Sequence, residues 1–474
     1  MKRLVLIGVI GLVLSGLNPA VHAELKLDVP DLNLPDLGDP ANSAVSTTEE
    51  TALGLKLVRE QRGSSPMIED PELIGWLRAL GNRLVSSSGT GGNFYFLISK
   101  DRAINAFAMP GGVVVINAGL ILSTNSESEL AAVMAHEIAH VNQRHIARMA
   151  MNDKGSPWVA GLGVLAGAAA ASKSPDAAQA LITGTLATQA HKQLVFSQQM
   201  ETEADRVGLR ILSAARFDPQ AMPLFMEKLD RRTMDQYGDL TQYLRTHPLS
   251  IDRLSDTRTR ANQLGKRPVQ EEADYAYMRE KLRTLIQPGA SPVTDGDPAL
   301  SRYAQAARQL ANGQDAAVIK TLGASAGHLP SALLLAQAYN HVGQYEQTEK
   351  LLTPLANSRP NQEAIVAPLA EALLNLEQAA RAWQWVSRVS LTEQSTLDFL
   401  DLRQRVAEQA GQAAEAYRSA AERNLRMGEY KQARAILEQA TRLPGTPAHT
   451  AARFQAMAQE IARLETRNKQ LPLK

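Results

Sequence analysis

The pentad HEIAH, at His136, Glu137 and His140, lies in the stretch ELAAVMAHEIAHVNQRHI over residues 129–146. On a helix, positions i and i+4 share a face, so the two imidazoles can grip one cation. Glu137, one position on, can reach a water held by that cation without being a ligand, the layout of a general base beside a Lewis acid. The chemistry predicted is metal-assisted hydrolysis of a peptide bond. Zinc is the ion expected, one per chain, and it needs a third ligand and an open position for catalysis.

The segment ETEAD (201–205) offers that ligand 61 residues after His140. Glu201 and Asp205 are again i and i+4. Glu201 is expected to ligate. Asp205 is expected to support catalysis by accepting a hydrogen bond from the free ring nitrogen of a ligating histidine, fixing its tautomer. Glu203, at i+2 from Glu201, points elsewhere on this reading. His145 is i+5 from His140, off the ligand face, and reads as structural. His191 has no recognisable context and reads as a surface residue.

His247, in RTHPLSIDR, is carried by a loop that Pro248 stiffens. Three roles stay open. It could donate a hydrogen bond to the tetrahedral oxyanion. Its neutral imidazole could be a fourth metal ligand that keeps the resting enzyme latent. Or it could be structural. The fourth-ligand role is preferred, with Arg253 anchoring the loop to an acid near the site.

Elements must position these groups. Ser126-x-x-Glu129 is a capping box that opens the helix carrying HEIAH. Helical patterns run over 49–62, 71–86 and 194–230, and NFYFLIS (93–99) reads as a strand. INAFAMPGGVVVINAGL (104–120) reads as a β-hairpin turning at Gly111-Gly112. Asn105-Ala106-Phe107 could form an edge onto which a substrate strand adds, although plain sheet core fits Phe107 as well.

The chain has 474 residues, 44% of them hydrophobic and 21% charged, which is enough apolar mass for sizeable cores. A net charge of +1 gives no argument for nucleic acid as a partner. There is no cysteine, hence no disulfide and no lipid-modified N-terminus. Residues 1–23 read as a signal peptide. Lys2 and Arg3 precede an apolar run too short for a comfortable span, and Val21-His22-Ala23 places cleavage after Ala23. The expected location is the periplasm. Residues 24–45 read as an extended leader. The small-residue segment 156–190 reads as close helix packing in preference to a peripheral contact with a membrane.

The expected organisation is a zinc metallopeptidase domain over 24–285, a linker over 286–298 rich in Pro and Gly, and a repeat domain over 299–474. In LLLAQAYNHVGQYEQTEKLLTPLANSRP (333–360) the residues fall at the spacing of the 34-residue tetratricopeptide pattern, with Thr348 where a small residue is usual. A second copy over 423–444 places Gly428 two and a half repeats after Gly343. Such repeats stack into a superhelix whose concave face binds peptides or proteins.

With HEIAH, ETEAD, NAFAMPGG and HPLSIDR in this order, the chain resembles the gluzincin metallopeptidases related to the CAAX prenyl endopeptidases and HtpX heat-shock proteases. With a signal peptide before and repeats behind, it is most similar to their periplasmic, repeat-bearing members in Gram-negative bacteria. The resemblance implies a mostly helical α+β fold, a gluzincin domain with a small sheet followed by an all-α superhelix. It implies zinc ligands at His136, His140 and Glu201, a catalytic Glu137, and a proton-donor or orienting role for Asp205. It also implies misassembled outer-membrane proteins as substrates, and repeats that contact the β-barrel assembly machinery. A rival expectation from another class is a chaperone or assembly factor in which proteolysis is secondary.

Overall fold

A computed structural model describes residues 47–64, 67–152, 197–235, 241–265, 269–271, 273–294, 296–323 and 327–470. The signal peptide and its cleavage site, the leader, the segment 156–190 and His191 lie outside the described residues. The fold is α+β and mostly helical.

Two helices come first, α1 (Thr47–Ser64) and α2 (Pro71–Ser86). Asp70 caps α2 by accepting from the backbone N–H groups of Glu72 and Leu73, with Pro71 just inside the helix. Strands β1 (Tyr95–Ser99), β2 (Ala106–Met109) and β3 (Val113–Asn117) form one sheet in the order β1-β3-β2. β2 and β3 are the antiparallel hairpin, joined by a single turn at Pro110–Gly112, and β1 runs parallel to β3. Alternation sorts the side chains. Phe96, Ile98, Val114 and Ile116 face the main core with α2, whereas Leu97, Met109, Val113 and Val115 face Leu57 and Val58 of α1. Gly81 lets α2 lie on the sheet, since a Cβ there would fall 2.3 Å from the Phe96 ring.

After α3 (Ala118–Ser123), helix α4 (Glu127–Asn142) carries HEIAH and is buried along almost its whole length. Ser126 Oγ accepts from Glu129 N at 3.2 Å, as a capping box requires. Glu129 returns the bond one residue further back, to Asn125 N at 2.9 Å. Around α4 stand α5 (His145–Asn152), α6 (Gln198–Ala214) and α7 (Ala221–Asp235). The short α8 (Thr241–Thr246) precedes His247, and α9 (Ile251–Leu264) and α10 (Asp274–Ile286) follow.

The rest of the described chain is helical hairpins. They are α11 (Pro298–Ala311) with α12 (Asp315–Leu322), α13 (Leu329–His341) with α14 (Tyr345–Ser358), α15 (Glu363–Asn375) with α16 (Ala379–Val386), α17 (Leu397–Gln409) with α18 (Ala413–Arg426), and α19 (Tyr430–Ala440) with α20 (Ala448–Gln470). Gly343, Glu377 and Gly411 turn three successive hairpins with φ of 76°, 60° and 70°. They lie 34 residues apart. Gly428 sits half a repeat after Gly411, at the bend between α18 and α19.

Apolar packing joins the chain on both sides of residues 286–298. One apolar cluster contains Leu73 and Ile116, Leu282 before the segment, and Leu300, Tyr303 and Leu334 after it. The helical hairpins also return to the first helix. Arg59 of α1 donates to both oxygens of Glu393, at 2.7 and 3.2 Å, and its guanidinium lies over the Tyr430 ring. Gln394 Nε2 donates to Phe96 O in the sheet.

Candidate metal centre

Helices α4 and α6 cross at the site. Gly208 of α6 permits the approach, because a Cβ there would be only 3.2 Å from His136 Cα. The crossing brings Glu201 and Asp205 to His136 and His140, and the loop after α8 adds His247. His136, His140, Glu201 and His247 are all buried, and one ligand atom from each lies within 4.8 Å of the others.

The spacing within this group is the test for a metal. His136 Nε2 is 3.0 Å from His140 Nε2 and 3.4 Å from His247 Nδ1. Glu201 Oε1 is 2.9 Å from His247 Nδ1 and 3.3 Å from His140 Nε2. A tetrahedron with ligand bonds of about 2.0 Å has edges of about 3.3 Å. The donor set and its spacing therefore fit zinc.

Proton placement agrees. His136 Nδ1 lies 3.0 Å from Asp205 Oδ1, so it carries a proton towards the carboxylate and leaves Nε2 as a lone pair. His140 has its own ring partner, as His145 Nδ1 lies 2.9 Å from His140 Nδ1. Two lone pairs facing each other at 3.0 Å need a cation between them. In the cluster alone a proton fills that need. Burial pushes the His136 imidazole down, but its hydrogen bonds to the Asp205 and Glu201 carboxylates outweigh it and lift it to about 10. Burial drives His140 well below its ordinary value. Burial also pushes Glu201 up, yet His247, His136 and His140 together hold it well below the usual carboxylate range.

Glu137 is one residue from the cluster and does not join it. Its Oε2 accepts from Ala108 N at 3.0 Å, on the hairpin, and its Oε1 is 3.5 Å from both the Tyr243 hydroxyl and His247 Nε2. Burial raises this carboxyl above the usual range, against His247, His136 and the Ala108 N–H. That places a proton-accepting group beside the ligand atoms and next to an edge strand. Phe107 is half-buried and packs on the α1 side of the sheet.

Arg253 ties the parts together. Its guanidinium donates to Asp205 at 2.8 and 2.9 Å and to Pro248 O at 2.6 Å, and lies 2.8 Å from Glu201 Oε2. The expected anchor of the His247 loop is thus an acid of the site itself.

Two contacts were not foreseen. Tyr243 stacks on His247 with ring centres 4.7 Å apart, and its place four residues earlier was the available signal. The Ala108 N–H is backbone, and nothing in the sequence marks it. His145 stands outside the donor group, as expected, but its ring meets the far nitrogen of His140. Helix α4 stops at Asn142 and Arg144 takes a φ of 49°, which turns His145 back to His140. Glu203, expected to point elsewhere, meets His145 Nε2 at 3.3 Å.

Residues 71–261 match the model of Peptidase family M48. The chain is 41% identical over 265 residues to the Beta-barrel assembly-enhancing protease of Escherichia coli strain K12, covering 55% of this chain and 54% of that protein. It is 40% identical over 281 residues to the protein of the same name in Yersinia pestis, covering 59% and 57%. Identity to the Mitochondrial metalloendopeptidase OMA1 of Arabidopsis thaliana is 32% over 181 residues, 38% of this chain and 33% of that protein. The chain spans about half the length of the curated relatives it matches. The matched segment contains His136, Glu137, His140, Glu201, Asp205 and His247, and residues 71–261 are a domain of peptidase family M48.

Proposed function

We propose that this chain is a zinc-dependent endopeptidase. The observation that carries the reading is the buried group of four donors with the Glu137 carboxylate beside it. His136, His140 and Glu201 would hold the zinc, which would supply a Lewis acid for the scissile carbonyl. Glu137 takes the proton of the attacking water and delivers it to the leaving amine. Asp205 locks the His136 tautomer, and Arg253 holds Asp205. The β2 edge receives the substrate as an added strand, and Ala108 N–H orients Glu137 until it does. His247 Nδ1 is a resting fourth donor, which makes the enzyme latent until the loop moves.

The substrates we infer are outer-membrane proteins whose assembly has stalled, in the periplasm, after removal of residues 1–23. The similarity to proteins named for enhancing β-barrel assembly supports this. The helical hairpins are tetratricopeptide repeats on this reading, following a peptidase domain at 24–285 and a linker at 286–298, and they bind clients and the assembly machinery. No described helix is long and apolar enough to cross a membrane. A role in assembly without cleavage is the second reading, favoured by the word "enhancing" in the relatives' name.

Metal analysis of the purified protein, with casein cleavage by wild type and Glu137→Gln, tests the enzyme. One zinc per chain in both and cleavage by wild type alone is expected. Cleavage undiminished in Glu137→Gln overturns the mechanism. Complementation by Glu137→Gln then separates the readings, since full rescue makes binding the essential role.

A further inference from the structure

The two histidines of the pentad are held in different ways. His136 meets a carboxylate directly, through Asp205. His140 meets another imidazole. His145 is wholly buried, with Nδ1 2.9 Å from His140 Nδ1 and Nε2 3.3 Å from Glu203 Oε2. Arg148, one turn along α5, donates to the same Glu203 oxygen at 3.0 Å. Glu203 is half-buried at the rim of the site.

We propose that His145, aligned by Glu203 and Arg148, is a positioning residue that fixes the ring and tautomer of His140 for the metal. This rests on the metal reading above. Two ring nitrogens at 2.9 Å share one proton, so one donates and the other accepts. His140 must present a lone pair at Nε2 to act as a ligand, so its proton sits on Nδ1. His145 Nδ1 is then the acceptor, and its own proton is on Nε2, aimed at Glu203. His140 Nδ1, both nitrogens of His145 and Glu203 Oε2 find complementary partners in this one direction. The reverse direction would place the His140 proton on Nε2, pointing into the ligand group 3.0 Å from His136 Nε2. Glu203 and Arg148 therefore select the arrangement that leaves His140 ready to bind. An imidazole between ligand and carboxylate lets Glu203 act from the rim, where a direct carboxylate would not reach His140.

The test is zinc affinity of the full chain, measured by competition with a chromophoric chelator, together with the thermal midpoint of the metal-free protein. His145→Leu keeps bulk and removes both ring nitrogens, and should weaken zinc binding by about 10- to 100-fold. His145→Gln can accept through its amide oxygen and donate through its amide nitrogen, and should restore affinity to within a few-fold of wild type. Glu203→Ala should fall between the two. A role in packing alone predicts that Leu and Gln track the metal-free midpoint and not the zinc affinity. Wild-type affinity in His145→Leu, while His140→Ala loses zinc, overturns the proposal. So does a Gln variant as weak as Leu with an intact midpoint. Zinc retained in His140→Ala overturns the metal reading instead. Should His145→Leu fail to fold, His145→Gln and Glu203→Ala decide, because wild-type affinity in Glu203→Ala also counts against the relay.

Discussion

Arg253 grips both oxygens of Asp205, at 2.8 and 2.9 Å, and both side chains are buried. Burial penalises the guanidinium charge, but Asp205 outweighs it and holds Arg253 above its ordinary value. The same fork reaches Pro248 O and Glu201, so one side chain holds a ligand, a ligand's partner and the His247 loop. A planar fork can do this and a single ammonium cannot. Arg253→Lys should lower zinc affinity by on the order of 10-fold, read by chelator competition. Native affinity in that variant would show that Asp205 needs no fork to stay in place.

His247 Nδ1 lies in the donor group and its Nε2 lies 3.5 Å from Glu137 Oε1, so the ring stands between the donor group and the Glu137 carboxylate. His247→Ala should raise casein cleavage and self-cleavage while zinc stays bound. Much lower cleavage with unchanged zinc would refute the latch and favour an oxyanion donor.

The hairpins are fastened to the first helix by Arg59 and Glu393. Burial pushes Glu393 up, but Arg59 outweighs it and holds the carboxyl below 4.5 in the fold. A depressed carboxylate stabilises above its unfolded value and loses that contribution as pH falls through the folded value. Glu393→Gln should therefore cost about 2 kcal/mol near pH 7, and the difference from wild type should shrink as pH falls below 4.5. Denaturant titrations across that range check it. A difference independent of pH would mean that the pair contributes through shape and not charge.

Glu377 occupies a turn where its counterparts, 34 residues away on either side, are glycines. A left-handed backbone costs a side-chain-bearing residue about 1 kcal/mol. Glu377→Gly should raise the thermal midpoint by a few degrees. A lowered midpoint would show that the Glu377 side chain contributes more than its backbone strain.

The sequence by itself determined the local elements and the chemistry. Repeated apolar positions and caps are local properties, so α2, the hairpin turning at Gly111-Gly112 and the helix opened by Ser126 were legible, as was the helical spacing that pairs His136 with His140 and Glu201 with Asp205. The repeat was legible where glycine marks the turn and hidden at Glu377, where it does not. The tertiary structure decided what depends on chain direction and long-range packing. A left-handed Arg144 turned His145 onto the far nitrogen of His140, a contact that spacing along one helix cannot show. A composition that reads as a linker at 286–298 says nothing of the apolar side chains on either side, and Leu282, Leu300 and Tyr303 join one core with the first half. The contact between Ala108 N–H and Glu137 is made by backbone, which carries no residue code, so only the approach of β2 to α4 could reveal it.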